Sequence, residues 1–478
     1  MNPLSTTDYL AVLPETLVVL TAVLVIVLDS AKRGRWATWV LPAWSCLGLT
    51  ASAVAAIAVW GKGGTVFSGT VFADGFSSLF KVLFAVIGIL TVMFSPYYLR
   101  FKSMRLGEYY ALLLTAVFGM IVMVSAANLL VFFLGLETMS ISLYVLAALQ
   151  RADVKSAEAG MKYLILGSFS SAFFLYGVAL MYATVGSVDY EAIGAFLAAG
   201  YQPNLMLVAG VALLLVGFAF KVAAVPFHFW SPDVYDGSPA TVTAFMTTGP
   251  KAAAFVALIR VFGVALQPAS SLWTDALTWL AILTMTVGNV VALRQSSVKR
   301  MLAYSSIAHA GYLLVGIVAG RTAFAAIGYY LIAYALMNLG AFAVIILINR
   351  KENAGYGFDE FRGIGLEHPL LGVTMVVFLL SLTGVPPTAG FFGKLYVFSA
   401  AIGSGHVGLA IVALLNSAVG AYYYLRIITL MYMNKPDGDV SFTEPASYRY
   451  ALVISCVLVL LIGIFPEQLL RLVTLSAP

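Results

Sequence analysis

Glu137, Lys221, Lys251 and Lys394 each stand alone within or beside a long apolar run. An ionisable side chain near the middle of a bilayer costs roughly 2.5–3.5 kcal/mol on the mildest scale, so such residues mark ion paths, proton relays or paired charges. Three lysines facing one carboxylate form a set through which a proton or a cation can pass. Desolvation disfavours a charged lysine and a carboxylate partner favours it, so a lysine balanced between the two changes protonation when its partner moves. A static salt bridge holding two helices together is the plainer reading of the same residues. His309 adds a group that accepts and donates near neutral pH. It lies in YSSIAHAGY, where the hydroxyls of Tyr304, Ser305, Ser306 and Tyr312 could carry a water chain. A satisfied core histidine is the alternative there.

Two further groups stand nearer the ends of the runs. Glu158 and Lys162 are four residues apart with the acid first, the favourable order on a helix. They would sit where a proton enters from the cytoplasm, or simply stabilise a helix surface. His228, Asp233 and Asp236 follow a proline-rich break; they could feed protons inward or cap a loop. His368 and His406 fall at the edges of apolar runs and carry no assignment.

The elements that must position these residues are membrane helices. Of the 478 residues 62% are hydrophobic and only 10% charged, against about 45–50% and 25% in a soluble domain. A span needs about 20 mostly apolar residues, and the chain offers about fourteen such runs, from Tyr9–Leu28 to Ala451–Phe465, with no connection long enough for a soluble domain. The start, MNPLSTTDYL, has no basic segment, so its first run reads as a retained helix and not a cleaved signal. Basic residues sort into alternate loops: Lys32/Arg33/Arg35, Arg100/Lys102/Arg105, Arg151/Lys155, Arg294/Lys299/Arg300, Arg350/Lys351/Arg362 and Lys435/Arg449. The opposite loops and tail hold only Lys62, Arg321 and Arg471. The positive-inside rule makes the first set cytoplasmic and turns both termini outward.

Two runs are broken. One holds Lys221-VAAV-Pro226-F-His228, the other TGV-Pro386-Pro387-TAGFFG-Lys394. Proline removes a backbone donor and clashes with the preceding turn, and irregular backbone at membrane depth is tolerated only inside protein or beside a wet cavity. A pair of interrupted helices in the two halves of a chain points to an inverted repeat and its ion site. Other chemistry leaves no mark: there is no GxGxxG after a strand, no P-loop and no haem motif. Cys46 and Cys456 lie in apolar runs without metal-ligand spacing, so no metal site or cofactor is expected on this chain. Lys299/Arg300 is a topology signal and not a nucleic-acid patch.

These residues carry a resemblance. VPFHFWSPDVYDGSPATVTAF (225–245), KRMLAYSSIAHAGY (299–312) and GVPPTAGFFGK (384–394) are similar to hallmark stretches of the antiporter-like membrane subunits of respiratory complex I, and the likeness covers most of the chain. EYYALLL (108–114) and LGLETMSISLYVLA (134–147) look like the subunit N branch of that family; its sisters tend to have an aromatic where Leu136 stands, and some have glutamate where Lys394 stands. The resemblance implies an all-α polytopic fold of about 14 helices. It would comprise N-terminal helices over 1–107, two inverted five-helix repeats over 108–263 and 271–433, and a last helix within 434–478. It implies that Glu137 and Lys221 form a coupling ion pair, that Lys251 is the central relay, that His309 lies on the hydrophilic axis and that Lys394 leads outward. It implies a subunit that translocates protons in a redox-driven NADH–quinone oxidoreductase of a bacterial inner membrane. FMN, iron–sulfur clusters and quinone would lie on partner subunits, and the partners would be other membrane-arm subunits and the lipid bilayer, with no nucleic acid. A subunit of a cation/proton antiporter, a ferredoxin- or hydrogenase-driven pump, and a structural spacer remain as rivals.

Overall fold

The computed structural model describes residues 6–31, 37–61, 64–200, 202–348, 356–435 and 445–478. The loop charges Lys32, Arg33, Arg35, Lys62, Arg350 and Lys351, and the first five residues, lie outside them. The chain opens with α1 (Thr6–Ala11), α2 (Leu13–Ala31) and α3 (Ala37–Ala58), then a two-stranded hairpin, β1 (Thr65–Val66) and β2 (Val71–Phe72). Next come α4 (Gly75–Phe101), α5 (Leu106–Ser125), α6 (Leu129–Ala147), α7 (Val154–Val185), α8 (Tyr190–Ala198) and α9 (Leu205–Lys221). The first break leads into α10 (Trp230–Gly237), α11 (Ala240–Met246) and α12 (Gly249–Leu258), and α12 runs on into a π-helical turn, Ile259–Ala265. The second half holds α13 (Thr274–Leu293), α14 (Val298–Ala319), α15 (Phe324–Ile348), α16 (Ile364–Glu367), α17 (Pro369–Thr383), α18 (Ala389–Gly403) and α19 (Val407–Met433). Then α20 (Ala446–Ile464) and α21 (Pro466–Ser476) close the chain.

Among the described residues twelve helices are long and apolar enough to cross a membrane. The short apolar α9, and α17 with α18 taken as one interrupted span, bring the count to the expected fourteen. The second break divides the run expected over Leu370–Ala401: α17 ends at Thr383, Gly384 takes a left-handed conformation, and α18 starts after Thr388. The first break ends α9 at Lys221 itself. Each break holds one cis bond, Val225–Pro226 and Pro386–Pro387. Short elements not visible in the apolar pattern are the hairpin, α8, α10 and the amphipathic α21, all too short to be found by a search for spans.

Helix ends follow the sequence: Asp74, Asn128, Asn204 and Ser297 each accept from a backbone N–H in the first turn of the helix they precede. Two helix pairs cross so closely that a side chain would not fit. A Cβ on Gly119 of α5 would lie 2.5 Å from the Met139 nitrogen of α6, and one on Gly311 of α14 would lie 2.6 Å from the Met285 nitrogen of α13. With no hydrophobic drive between helices in lipid, such backbone approach supplies the packing. The middle of the molecule is α15, buried along its length and packed by α17, α18, α20, α14, α11 and α4. α2, α3, α7, α19 and α20 present rows of exposed apolar side chains, among them Ile57, Phe169, Leu414 and Ile454, suited to lipid.

Candidate functional site

The polar residues of the interior fall into three connected groups. In the first half, Glu137 sits midway along α6 and its Oε1 accepts from Ser171 Oγ on α7. Lys221, the last residue of α9, donates from Nζ to Ser140 Oγ, one turn of α6 beyond Glu137, at 2.8 Å. Its ammonium lies 5.9 Å from the Tyr144 ring centre and 5.8 Å from that of Phe220. A cation at a helix C-terminus is favoured by the macrodipole. The implied Glu137–Lys221 ion pair is thus not a direct contact here: each charge is held by its own serine. Both residues are half-buried.

The second group surrounds Lys251, in the first turn of α12 and 2% exposed. Nζ donates to the Ser306 carbonyl at 2.5 Å and also to Ser306 Oγ. An ammonium in the first turn of a helix faces the positive end of the dipole, so the two Ser306 oxygens from the neighbouring α14 are what hold it. From there α14 acts as a rail. Ser305, His309 and Tyr312 succeed one another at helical spacing over about 10 Å of rise. His309, 1% exposed, bonds Tyr330 OH of α15 through Nδ1 at 2.7 Å and Tyr424 OH of α19 through Nε2 at 3.1 Å. Tyr424 OH also bonds Ser305 Oγ.

The third group is set by the second break. Lys394 of α18, 6% exposed, donates to the carbonyls of Leu382 and Thr383 in the last turn of α17 and to Ser417 Oγ of α19, each at 2.8 Å. Termination of α17 leaves those carbonyls without helical partners, which is why the break with Pro386 and Pro387 creates a cation site. Lys394 Nζ stands 5.2 Å from the Tyr312 ring centre, and Tyr312 OH accepts from Asn289 Nδ2 at 2.9 Å. A cavity of about 290 Å³ lined by Lys394, Ser417, Phe391, Phe398 and Leu414 opens beside it.

On the side assigned to the cytoplasm, a cavity of about 230 Å³ is lined by Lys155, Glu158, Lys162, Asp233, Asp236 and Arg300. Lys162 Nζ reaches Glu158 at 2.7 Å and Asp233 at 2.8 Å, and Arg300 reaches Asp233 at 3.0 Å. Partial burial works to raise the Asp233 carboxyl, but the hydrogen bond and charge of Lys162 and those of Arg300 outweigh it and hold the group below the usual carboxylate range. Glu158 and Lys162 therefore lie together on one charged cavity. His228 is buried in the bend with Pro226 and does not line this cavity.

Several polar partners are absent from the sequence reading. Tyr330, Tyr424 and Asn289 look like ordinary aromatic and polar residues of apolar runs until the helices pack. Lys299, 1% exposed, donates to the Asp236 and Ser238 carbonyls at 2.8 and 2.5 Å below the charged cavity. The ion pairs Lys81–Glu15, at 2.6 Å, and Arg260–Asp74, at 2.8 Å, were within reach of the rule that singled out Lys251: Glu15, Lys81 and Arg260 are also lone charges inside apolar runs. Among the described residues no group of three or more His, Cys, Asp or Glu is arranged to hold a metal ion.

Residues 126–420 match the family described as NADH:quinone oxidoreductase/Mrp antiporter, transmembrane. The chain is 45% identical over 451 residues to NADH-quinone oxidoreductase subunit N of Trichlorobacter lovleyi, covering 94% of this chain and 92% of that one. A chain of respiratory complex I from Thermus thermophilus with bound aureothin superposes with a TM-score of 0.81 and 35% identity, covering 96% of this chain and 99% of that one. A chain of the Mrp complex from a Dietzia species shares the fold, with a TM-score of 0.86 at 21% identity over 99% of this chain and 97% of that one. The chain belongs to the NADH:quinone oxidoreductase/Mrp antiporter transmembrane family and, within it, to the group of NADH-quinone oxidoreductase subunit N proteins.

Proposed function

We propose that this chain carries protons through the membrane arm of a redox-driven NADH–quinone oxidoreductase, along Glu137, Lys221, Lys251, His309 and Lys394. The observation that carries the reading is the buried succession from Lys251 through Ser306 and His309 to Lys394. Every charged or imidazole group in it has a hydrogen-bond partner from a different helix. Charges so placed are costly in lipid and mark ion or proton paths.

Protons would enter at the Glu158/Lys162/Asp233 cavity. A change of charge in a neighbouring subunit would alter the pull of Glu137 on Lys221; an ammonium held by one neutral serine oxygen has little else to fix its protonation. A proton released there would pass to Lys251 of α12, whose bond to Ser306 of α14 leads to His309. The imidazole, bonded to a phenol at each nitrogen, accepts on one side and donates on the other. Lys394, at the second break, would be the last group before the outer side. The two halves, 108–263 and 271–433, would be inverted repeats, as the matching breaks and glycine crossings support.

Flavin, iron–sulfur clusters and quinone on partner subunits would supply the electron transfer that drives the cycle. The other partners would be antiporter-like and small subunits of the arm, in a bacterial inner membrane, with both termini outside. The test is the proton-to-electron ratio of the whole complex in liposomes with Lys221→Ala and Lys251→Ala. Normal ratios in assembled complexes would refute the reading, and a sodium requirement would turn it toward cation/proton exchange.

A further inference from the structure

The outer end of the Lys251 helix is closed by a buried ion pair that the relay does not use. α12 runs into the π-helical turn Ile259–Ala265, which carries Arg260, about 13 Å of helix beyond Lys251. π-turns are rare and often mark functional places. The Arg260 side chain is 3% exposed, and its Nη2 donates to both carboxylate oxygens of Asp74, at 2.8 and 2.9 Å. Asp74 is 29% exposed, so the guanidinium lies on the inner side of the pair and the carboxylate nearer the surface. Two rings flank the cation: its centre is 4.2 Å from the Phe72 ring and 5.4 Å from that of Phe76.

Each partner is fixed from behind. Asp74 Oδ1 also accepts from the Ser77 amide and hydroxyl, both at 2.8 Å, so it caps α4 while it holds Arg260. Phe72 belongs to β2, and that hairpin is stitched across the outer ends of the neighbouring helices. The Ala127 amide donates to the Thr70 carbonyl at 2.9 Å, and the Tyr190 amide donates to the Ala127 carbonyl at 3.0 Å. Two helical turns along α4, Lys81 pairs with Glu15 of α2 at 2.6 Å, and Ser125 at the end of α5 reaches the same carboxylate at 3.4 Å. One surface of ion pairs and backbone bonds thus joins α2, α4, α5 and α12 on the side that the loop charges assign to the outside.

We propose that the Asp74–Arg260 pair is an outer seal of the first half: it blocks proton escape at the outer end of the Lys251 helix and fixes that end against α4, so that protons reaching Lys251 leave only toward His309 and Lys394. A fixed guanidinium repels an approaching proton, as fixed arginines do in pores that exclude cations, and the Phe72 and Phe76 rings stand against it. Asp74 and Arg260 are positioning residues in this scheme and touch no transferred proton. The inference rests on the proton-path reading above.

The experiment is passive proton influx into liposomes holding the whole complex, with a pH gradient imposed and NADH absent. Arg260→Gln and Asp74→Asn, the latter of nearly unchanged shape, are expected to leak protons several-fold faster than the parent. Adding Lys251→Ala to Arg260→Gln should return the leak to the parental level, because the opened route runs through Lys251. Parental tightness in the assembled single variants, or a leak indifferent to Lys251→Ala, would overturn the seal. Neither result would touch the relay, which is judged by the Lys221→Ala proton-to-electron ratio. If the single variants fail to assemble, Arg260→Lys, which keeps a cation against Asp74, should assemble and stay as tight as the parent; a leaky or unassembled Arg260→Lys complex would overturn the proposal.

Discussion

Lys251 Nζ lies 2.5 Å from the Ser306 carbonyl, a bond that runs from the first half of the molecule to the second. It crosses from α12 to α14, two helices otherwise separated in sequence by α13. Among the described residues the ammonium has no carboxylate paired with it and is held by the oxygens of one serine.

Replacing Lys251 with Met should therefore have two effects. Proton pumping should fall sharply while NADH oxidation by the whole complex continues at a reduced rate. The Ser306 carbonyl loses its side-chain donor, at a cost to stability of about 1–3 kcal/mol. Pumping and thermal melting of the purified complex measure the two separately.

Tyr330→Phe and Tyr424→Phe each remove one hydroxyl from His309 and leave the ring packing in place. Each should cost about 1 kcal/mol in stability and slow coupled turnover. The solvent isotope effect on turnover should rise in both, since proton passage then limits the rate. An isotope effect equal to that of the parent would show that the phenols only pack.

The charged cavity around Asp233 makes the local structure acid-sensitive. The folded Asp233 carboxyl lies below its unfolded value, so it contributes stability that is complete above about pH 4 and is lost as pH falls through the folded value. Asp233→Asn should abolish that part of the pH dependence. Melting temperature followed from neutral to acid pH should fall less steeply in the variant than in the parent. Lys162 and Arg300 lose their shared partner, so the variant should also start lower at neutral pH.

The helix crossings give a prediction free of charge effects. Gly119→Val and Gly311→Val would each drive a side chain into backbone of the facing helix, and overpacking of this kind costs about 1–3 kcal/mol or more. Both should lower the yield of assembled complex, whereas Gly403→Val, at a position with open space around it, should not.

The residues by themselves determined the kind of protein. Apolar runs of span length, basic residues in alternate loops and the two proline breaks carry their information locally, because a bilayer forces each segment to satisfy its own backbone. Lone charges in those runs, such as Lys251 and Lys394, were visible for the same reason. Tertiary packing alone decided which groups meet. Lys221 took Ser140 while Glu137 took Ser171, His309 was bracketed by tyrosines from α15 and α19, and Lys394 found the carbonyls freed where α17 ends. Arg260 and Asp74 are 186 residues apart in the chain. Such partners come from helices whose neighbours are chosen by close backbone approach, as at Gly119 and Gly311, and not by anything in the spacing along one segment. A hydroxyl or an amide in an apolar run looks the same whether it faces lipid, its own helix or a proton path; only the packing of the other helices around it makes the difference.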